Sequence, residues 1–208
     1  MTATLSVKKT FLFLFCFFTL TNAQIRIGLS SGINFASYSL SNQGSGTSLE
    51  NKAGFLIGAL AEYLFLEKLS ARVMLKYSQL GGKNTINSFG TWGTVHNKIY
   101  LNYLEFSSYF VYTLFQKTIS TKIIGGASLG YLTNSKFKNE FAEGGLKSIT
   151  KSFNMTMDIA LESEIPILQR TSLLLNGGYS FGLTNVNKEG GEMKTKNLSF
   201  GIGFLYSL

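Results

Sequence analysis

Strict alternation of apolar with polar or small residues dominates the carboxy-terminal half of the chain. Leu198, Phe200, Ile202, Phe204, Tyr206 and Leu208 share one face of an extended segment; Asn197, Ser199, Gly201, Gly203, Leu205 and Ser207 share the other. The preceding segment sets Leu173, Leu175, Tyr179, Phe181 and Leu183 against Ser172, Asn176, Gly178, Ser180 and Gly182. Before it, Phe153, Met155, Met157, Ile159 and Leu161 oppose Asn154, Thr156, Asp158, Ala160 and Glu162. A period of two marks a β-strand whose faces meet different surroundings. Similar segments at 119–132, 97–113, 69–82, 53–65 and 25–38 bring the count to eight. Each exceeds the 9–11 or so residues that cross a bilayer at a tilt, and far exceeds the average soluble strand of about 5–6.

The connections alternate in length. Those near 66–68, 114–118 and 166–170 are short, whereas 39–52, 83–96, 133–150 and 185–196 are long and rich in Gly, Asn, Ser and Lys. Short turns on one side and long loops on the other are the pattern of an outer-membrane barrel, and an even strand count puts both ends of the barrel on the turn side. Alternation alone leaves open a soluble barrel with its apolar face inside. The second face decides between them: mostly Gly, Ser, Asn and Ala with few charges, it is too sparsely charged for a water surface but suits a crowded interior. Aromatics also gather toward the strand ends, with Tyr63, Phe65, Phe110, Tyr112 and Tyr206 at the turn side and Phe35, Tyr38, Tyr77, Tyr131 and Phe181 at the loop side. These are expected to form two interfacial girdles. The fold class expected is all-β: an eight-stranded, antiparallel, up-and-down transmembrane barrel.

Composition agrees. Charged residues make up 14% of the chain, against about 25% in a typical soluble domain. Lys8 and Lys9 precede an apolar run from Phe11 to Leu20 and then Thr21-Asn22-Ala23, the layout of a cleaved secretory signal over residues 1–23 with the barrel domain in 24–208. A lipoprotein signal at Cys16 is the rival reading, and the absence of small residues before Cys16 speaks against it. Because Cys16 is the only cysteine, the mature chain is expected to lack disulfides, thiolate chemistry and cysteine metal sites.

Several segments, taken in order, resemble the small PorT-like outer-membrane β-barrel proteins common in Bacteroidota. Gly28 to Phe35 (GLSSGINF) resembles their first strand and Ala53 to Tyr63 (AGFLIGALAEY) the second, followed by Leu75 to Gly81 (LKYSQLG). Leu101 to Glu105 (LNYLE) resembles their Tyr-x-Glu strand, with Ser107 where a Pro is usual. Gly201 to Leu208 (GIGFLYSL) resembles the signal such barrels present to the assembly machinery, ending in Leu rather than Phe. The resemblance implies an outer-membrane location and contact of the last strand with that machinery. It permits a role as an accessory subunit of a secretion or surface-motility machine.

Catalytic candidates are few. His96, the only histidine, ends the second long loop with no hydroxyl and carboxylate singled out beside it, so an outer-membrane lipid-modifying enzyme is a remote alternative. Asp158 and Glu162 share a face but lie about 13 Å apart along a strand, beyond the working range of a glycosidase pair. Gly125-Gly126, Gly144-Gly145 and Gly190-Gly191 open no helix and form no phosphate-cradling loop. No catalytic residue, metal site or cofactor is therefore expected.

The formal charge of +8 includes Lys8 and Lys9. A secreted barrel does not meet nucleic acid, and most of the remaining positive charge falls on the long loops. The partners expected are outer-membrane lipids and lipopolysaccharide phosphates, with acidic glycans as the alternative. A monomer is expected. Opposite the apolar face lie Arg26, Glu62, Arg72, Lys76, Glu105, Lys122, Asp158 and Glu162, four cations and four anions. Confined charges are costly unless paired. The neighbour pairs expected are Glu62 with Arg72 or Lys76, Glu105 with Lys122, and Lys122 with Asp158 or Glu162, together an ion-paired, non-conducting lumen. On this reading the chain is a non-enzymatic integral outer-membrane protein serving envelope structure or surface interaction.

Overall fold

Backbone pairing closes the alternating segments into a ring. The computed structural model describes residues 24–40, 47–87, 94–139, 141–188 and 192–208. Its strands are β1 (Gln24–Leu40), β2 (Thr47–Glu50), β3 (Lys52–Leu66), β4 (Leu69–Asn87), β5 (Thr94–Gln116), β6 (Ser120–Lys138), β7 (Glu143–Gly145), β8 (Phe153–Leu168), β9 (Thr171–Gly182) and β10 (Met193–Ser207). Eight of them pair antiparallel in the cycle β1-β3-β4-β5-β6-β8-β9-β10, and β10 returns to β1. The short β2 and β7 pair only with the outer ends of β4 and β6. The expected signal segment, residues 1–23, lies outside the described residues.

The register fixes the shape of the ring. Stepping between directly opposed residues from Ile27 passes Ala61, Val73, Ser108, Ala127, Met157, Phe181 and Lys196, and returns to β1 at Ser37. That is a stagger of ten residues around the wall. With strands about 4.8 Å apart and rising about 3.3 Å per residue, it sets a tilt of about 41° and a backbone radius of about 8 Å, a tube that inward side chains can fill.

The two faces divide as the alternation requires. Leu29, Ile57, Leu75, Phe106, Phe110, Leu129, Ile159, Phe204 and their neighbours are exposed on the outer wall, a band with no water-facing chemistry. A barrel can carry such a band only against lipid, because every backbone group is already satisfied by a neighbouring strand. Aromatic pairs flank it. Phe55 with Tyr77, Tyr131 with Phe153, and Phe35 with Phe200 lie toward the loop side, and Tyr63 stacks on Phe65 at the turn side.

Three expectations need correction. Tyr38 is not part of a girdle: it shares the inward face of Asn34 and Ala36, and its ring lies over Gly82, where a Cβ would sit 2.4 Å from the Tyr38 ring. The outer connections are also shorter than expected. β4 runs to Asn87, β5 begins at Thr94 and β6 runs to Lys138, so the β4–β6 wall stands well above the membrane with β2 and β7 at its edges. Polar residues on both faces hide the strand period there. Where β4 leaves the barrel, Gly81 adopts φ +131°, and an added Cβ would lie 2.0 Å from the Ile99 carbonyl oxygen. Only glycine serves at such a point. Thirdly, β8 runs through Pro166 to Leu168, so the turn expected at 166–170 is only residues 169–170, and Glu164 lies in the strand and the interior.

Candidate functional site: the charged lumen

The inward face of each strand delivers its residues at fixed heights, and the charges fall into two layers. Toward the turn side, Glu62 from β3 is 1% exposed and stands at the centre. Arg72 of β4, directly opposite it, donates from Nε at 2.8 Å and from Nη2 at 2.5 Å to Glu62 Oε2. Ser70 Oγ donates to Glu62 Oε1 at 2.9 Å, and Arg26 of β1 donates to the same oxygen. The Arg72 guanidinium continues across the barrel, giving Nη1 to Glu162 Oε2 at 2.8 Å and Nη2 to Glu162 Oε1 at 2.7 Å. Arg26 Nη1 meets both oxygens of Glu164, at 2.9 and 3.1 Å. Lys122 of β6 pairs with Glu164 and stands 3.7 Å from Glu62. Three cations and three carboxylates thus form one connected cluster linking β1, β3, β4, β6 and β8.

The second layer lies nearer mid-barrel. Lys76 Nζ is 3.1 Å from Glu105 Oε2 and donates to the Tyr109 hydroxyl at 3.3 Å. Tyr109 donates to Asp158 Oδ2 at 3.0 Å, Ser128 donates to the same oxygen, and Thr156 reaches Oδ1 at 3.0 Å. Asp158 thus has hydroxyl donors and no ion pair among the described residues. A cavity of about 80 Å³ separates the layers, lined by Arg72, Met74, Lys76, Asp158, Glu162 and Asn176 among others. Toward the outer end, Asn34 and Asn197 form an amide pair, followed by the apolar cluster of Ala36, Leu80, Leu101, Tyr103 and Leu132.

Several pairings therefore differ from those expected. Glu105 meets Lys76 rather than Lys122, because β4 sets Lys76 directly opposite Glu105. Lys122 turns to Glu164 and Glu62, although Glu162 is its register partner on β8. Glu162 is instead held by Arg72. Buried Lys52, its Nζ 3.4 Å from the Leu80 carbonyl oxygen near the outer end, is a fifth interior cation and balances a fifth anion, Glu164. The signal of Glu164 was present in the sequence: the alternation Asp158, Ala160, Glu162 simply continues one step further. His96 is exposed in the outer wall extension, with Thr85 Oγ1 3.1 Å from its Nδ1. No three His, Cys, Asp or Glu side chains are grouped to hold a metal among the described residues.

A closed eight-stranded barrel with a lipid-facing apolar band, interfacial aromatics and a polar interior is an integral β-barrel protein of the outer membrane. The family described as "Outer membrane protein beta-barrel domain" matches residues 21–188, and the chain belongs to it. No curated protein matches the chain in sequence. Among solved structures, a major outer-membrane protein of Thermus thermophilus is similar at 10% identity, covering 90% of this chain and 100% of that one, with a TM-score of 0.54. Neisserial surface protein A is similar at 14% identity, 85% and 95% coverage and a TM-score of 0.48. OprG of Pseudomonas aeruginosa is similar at 12% identity, 89% and 95% coverage and a TM-score of 0.44.

Proposed function

We propose that the protein is a non-enzymatic, PorT-like barrel with a non-conducting lumen, secreted through cleavage of residues 1–23, and serving envelope structure or surface interaction. The observation that carries this reading is the Arg26–Glu62–Arg72–Glu162 chain, which crosses the interior from wall to wall at hydrogen-bond distances. Guanidinium and carboxylate groups locked together in this way leave no continuous path for hydrated ions in a tube of about 8 Å backbone radius. The apolar cluster at the outer end adds a second barrier. A non-enzymatic role is supported by His96, which is exposed on the wall extension beside the Thr85 hydroxyl and has no carboxylate partner among the described residues. The last strand engages the assembly machinery, and loop lysines neutralise phosphates of the outer leaflet. Purified protein reconstituted in planar bilayers should show no regular conductance steps. Stable, salt-dependent single channels from the wild-type monomer would refute the reading.

A further inference from the structure

The wall extension above the membrane carries a row of like charges. Lys83 of β4 lies directly opposite Lys98 of β5, and Lys98 lies directly opposite Lys138 of β6. Directly opposed residues share a face, so three ammonium groups stand side by side. Glu50 opposes Lys83 at one end of the row and Glu143 opposes Lys138 at the other. Glu143 Oε2 is 3.7 Å from Lys138, and its Oε1 is 3.9 Å from Lys136. Lys98, at the centre, has no carboxylate partner among the described residues. Like charges directly opposed across a sheet are destabilising. The row borders a concavity of about 440 Å³, lined by Lys83, Lys98, Lys138, His96, Asn97 and Glu50 among others.

The side of the wall matters as much as the charge. Lys98 has the parity of Leu104 and Phe106, the lipid-facing set, and not that of buried Leu101, Tyr103 and Glu105. Tyr77, Leu104 and Tyr131 form the parallel row below, six residues away on β4 and β5 and seven on β6 across its register shift, at the edge of the apolar band. Six residues at about 3.3 Å each, on strands tilted by about 41°, put the lysines about 15 Å above that edge. Headgroup regions add only about 5–7 Å to each side of a bilayer core. A simple phospholipid phosphate therefore lies too low for Lys98, while a phosphate carried on a lipid-linked sugar reaches it.

We infer that the Lys83–Lys98–Lys138 row is a binding site for the phosphorylated saccharide headgroup of an outer-leaflet glycolipid, which approaches laterally from the membrane. The inference rests on the reading that the loop lysines face outer-leaflet phosphates, and assigns that role to one sector of the wall. Each lysine near an anionic surface contributes roughly fivefold in affinity, so three together contribute roughly 100-fold.

The test uses the full barrel in detergent, titrated with rough-type lipopolysaccharide and followed by native mass spectrometry. The combined variant Lys83→Gln, Lys98→Gln, Lys138→Gln should lose roughly 100-fold in retention. The matched control Lys147→Gln, Lys151→Gln, Lys196→Gln should stay within about fivefold of wild type. Chemically dephosphorylated lipopolysaccharide and phosphatidylglycerol should both bind weakly. Without glycolipid the row variant should melt at a higher temperature than wild type, because repulsion has been removed; this also shows that it folds. Equal loss in both variants, or equal retention of the dephosphorylated lipid, overturns the assignment while leaving the general reading of the loops intact. No glycolipid retention by wild type overturns that reading as well. Binding of soluble inositol hexakisphosphate without any lipid binding would make the row a surface for soluble polyanions and also overturn the inference.

Discussion

Replacing Glu62 with Gln keeps the shape of the side chain and removes one charge from the most connected point of the lumen. Four hydrogen bonds converge on this carboxylate, one from Arg26, one from Ser70 and two from Arg72. Three of the four come from guanidinium groups. Hydrogen bonds to charged groups contribute about 1.5–3 kcal/mol each, but sharing of partners makes their simple sum an overestimate. After the change, Arg26, Arg72 and Lys122 are left with two carboxylates, Glu162 and Glu164, and one buried cation is uncompensated. Breaking a buried pair from one side costs about 3–5 kcal/mol. We expect Glu62→Gln to destabilise the barrel by about 4 kcal/mol, read from reversible urea unfolding in lipid vesicles by the far-ultraviolet sheet signal. Combining it with Arg72→Gln removes the stranded charge, so the double variant should lose less than the sum of the two singles by about 2 kcal/mol. A Glu62→Gln barrel within about 1 kcal/mol of wild type, or strictly additive singles, would show that water inside the lumen screens these charges and that the network carries little stability.

Three further outcomes follow from the geometry. Trypsin added to intact cells should cut at exposed Lys147, Lys151 or Lys188 and spare exposed Lys117 in the β5–β6 turn until the cells are lysed; cleavage at Lys117 in intact cells would invert the barrel. Met157→Lys, in the middle of the outer wall, should cost about 2–4 kcal/mol in vesicle unfolding. Gly81→Ala should cost about 1–3 kcal/mol because of its positive φ and the Ile99 carbonyl, whereas Gly144→Ala, with nothing within 4 Å of its Cβ, should be neutral in the same assay.

Much of the barrel is legible in the sequence because lipid on one side and packed side chains on the other impose opposite demands on successive residues. That contrast is strongest in the last strand, where Phe200, Ile202 and Phe204 alternate with Ser199, Gly201 and Gly203. It vanishes above the membrane, where both faces of β4 and β5 carry polar residues. Thr85 and His96 pair there without any apolar signature, and the strand continuation is invisible in sequence. The lumen shows a similar division. Glu62 and Arg72 oppose each other on neighbouring strands, so alternation and strand order find them. The Arg72–Glu162 contact spans the barrel between strands that are not neighbours, and depends on diameter, height and side-chain reach. Glu164 lies one alternation step beyond Glu162, beside the turn expected at 166–170, which opens on Pro166. β8 instead absorbs the proline in a local register shift and runs to Leu168.

The stagger of ten residues has a consequence for assembly. Glu62 with Arg72, and Lys76 with Glu105, join adjacent strands and can meet within a two-stranded hairpin before any ring exists. Arg72 with Glu162, Arg26 with Glu164, and Lys122 with Glu62 link strands that are not sheet neighbours, and meet only once the wall has curled shut. Arginine and glutamate side chains have fixed reach, so these contacts exist for one circumference. A wall with one hairpin more would hold Arg72 and Glu162 apart and leave both charges stranded; a wall with one fewer could not contain them. The charges thus act as a gauge of the strand count, penalising any closure except the one whose width they span.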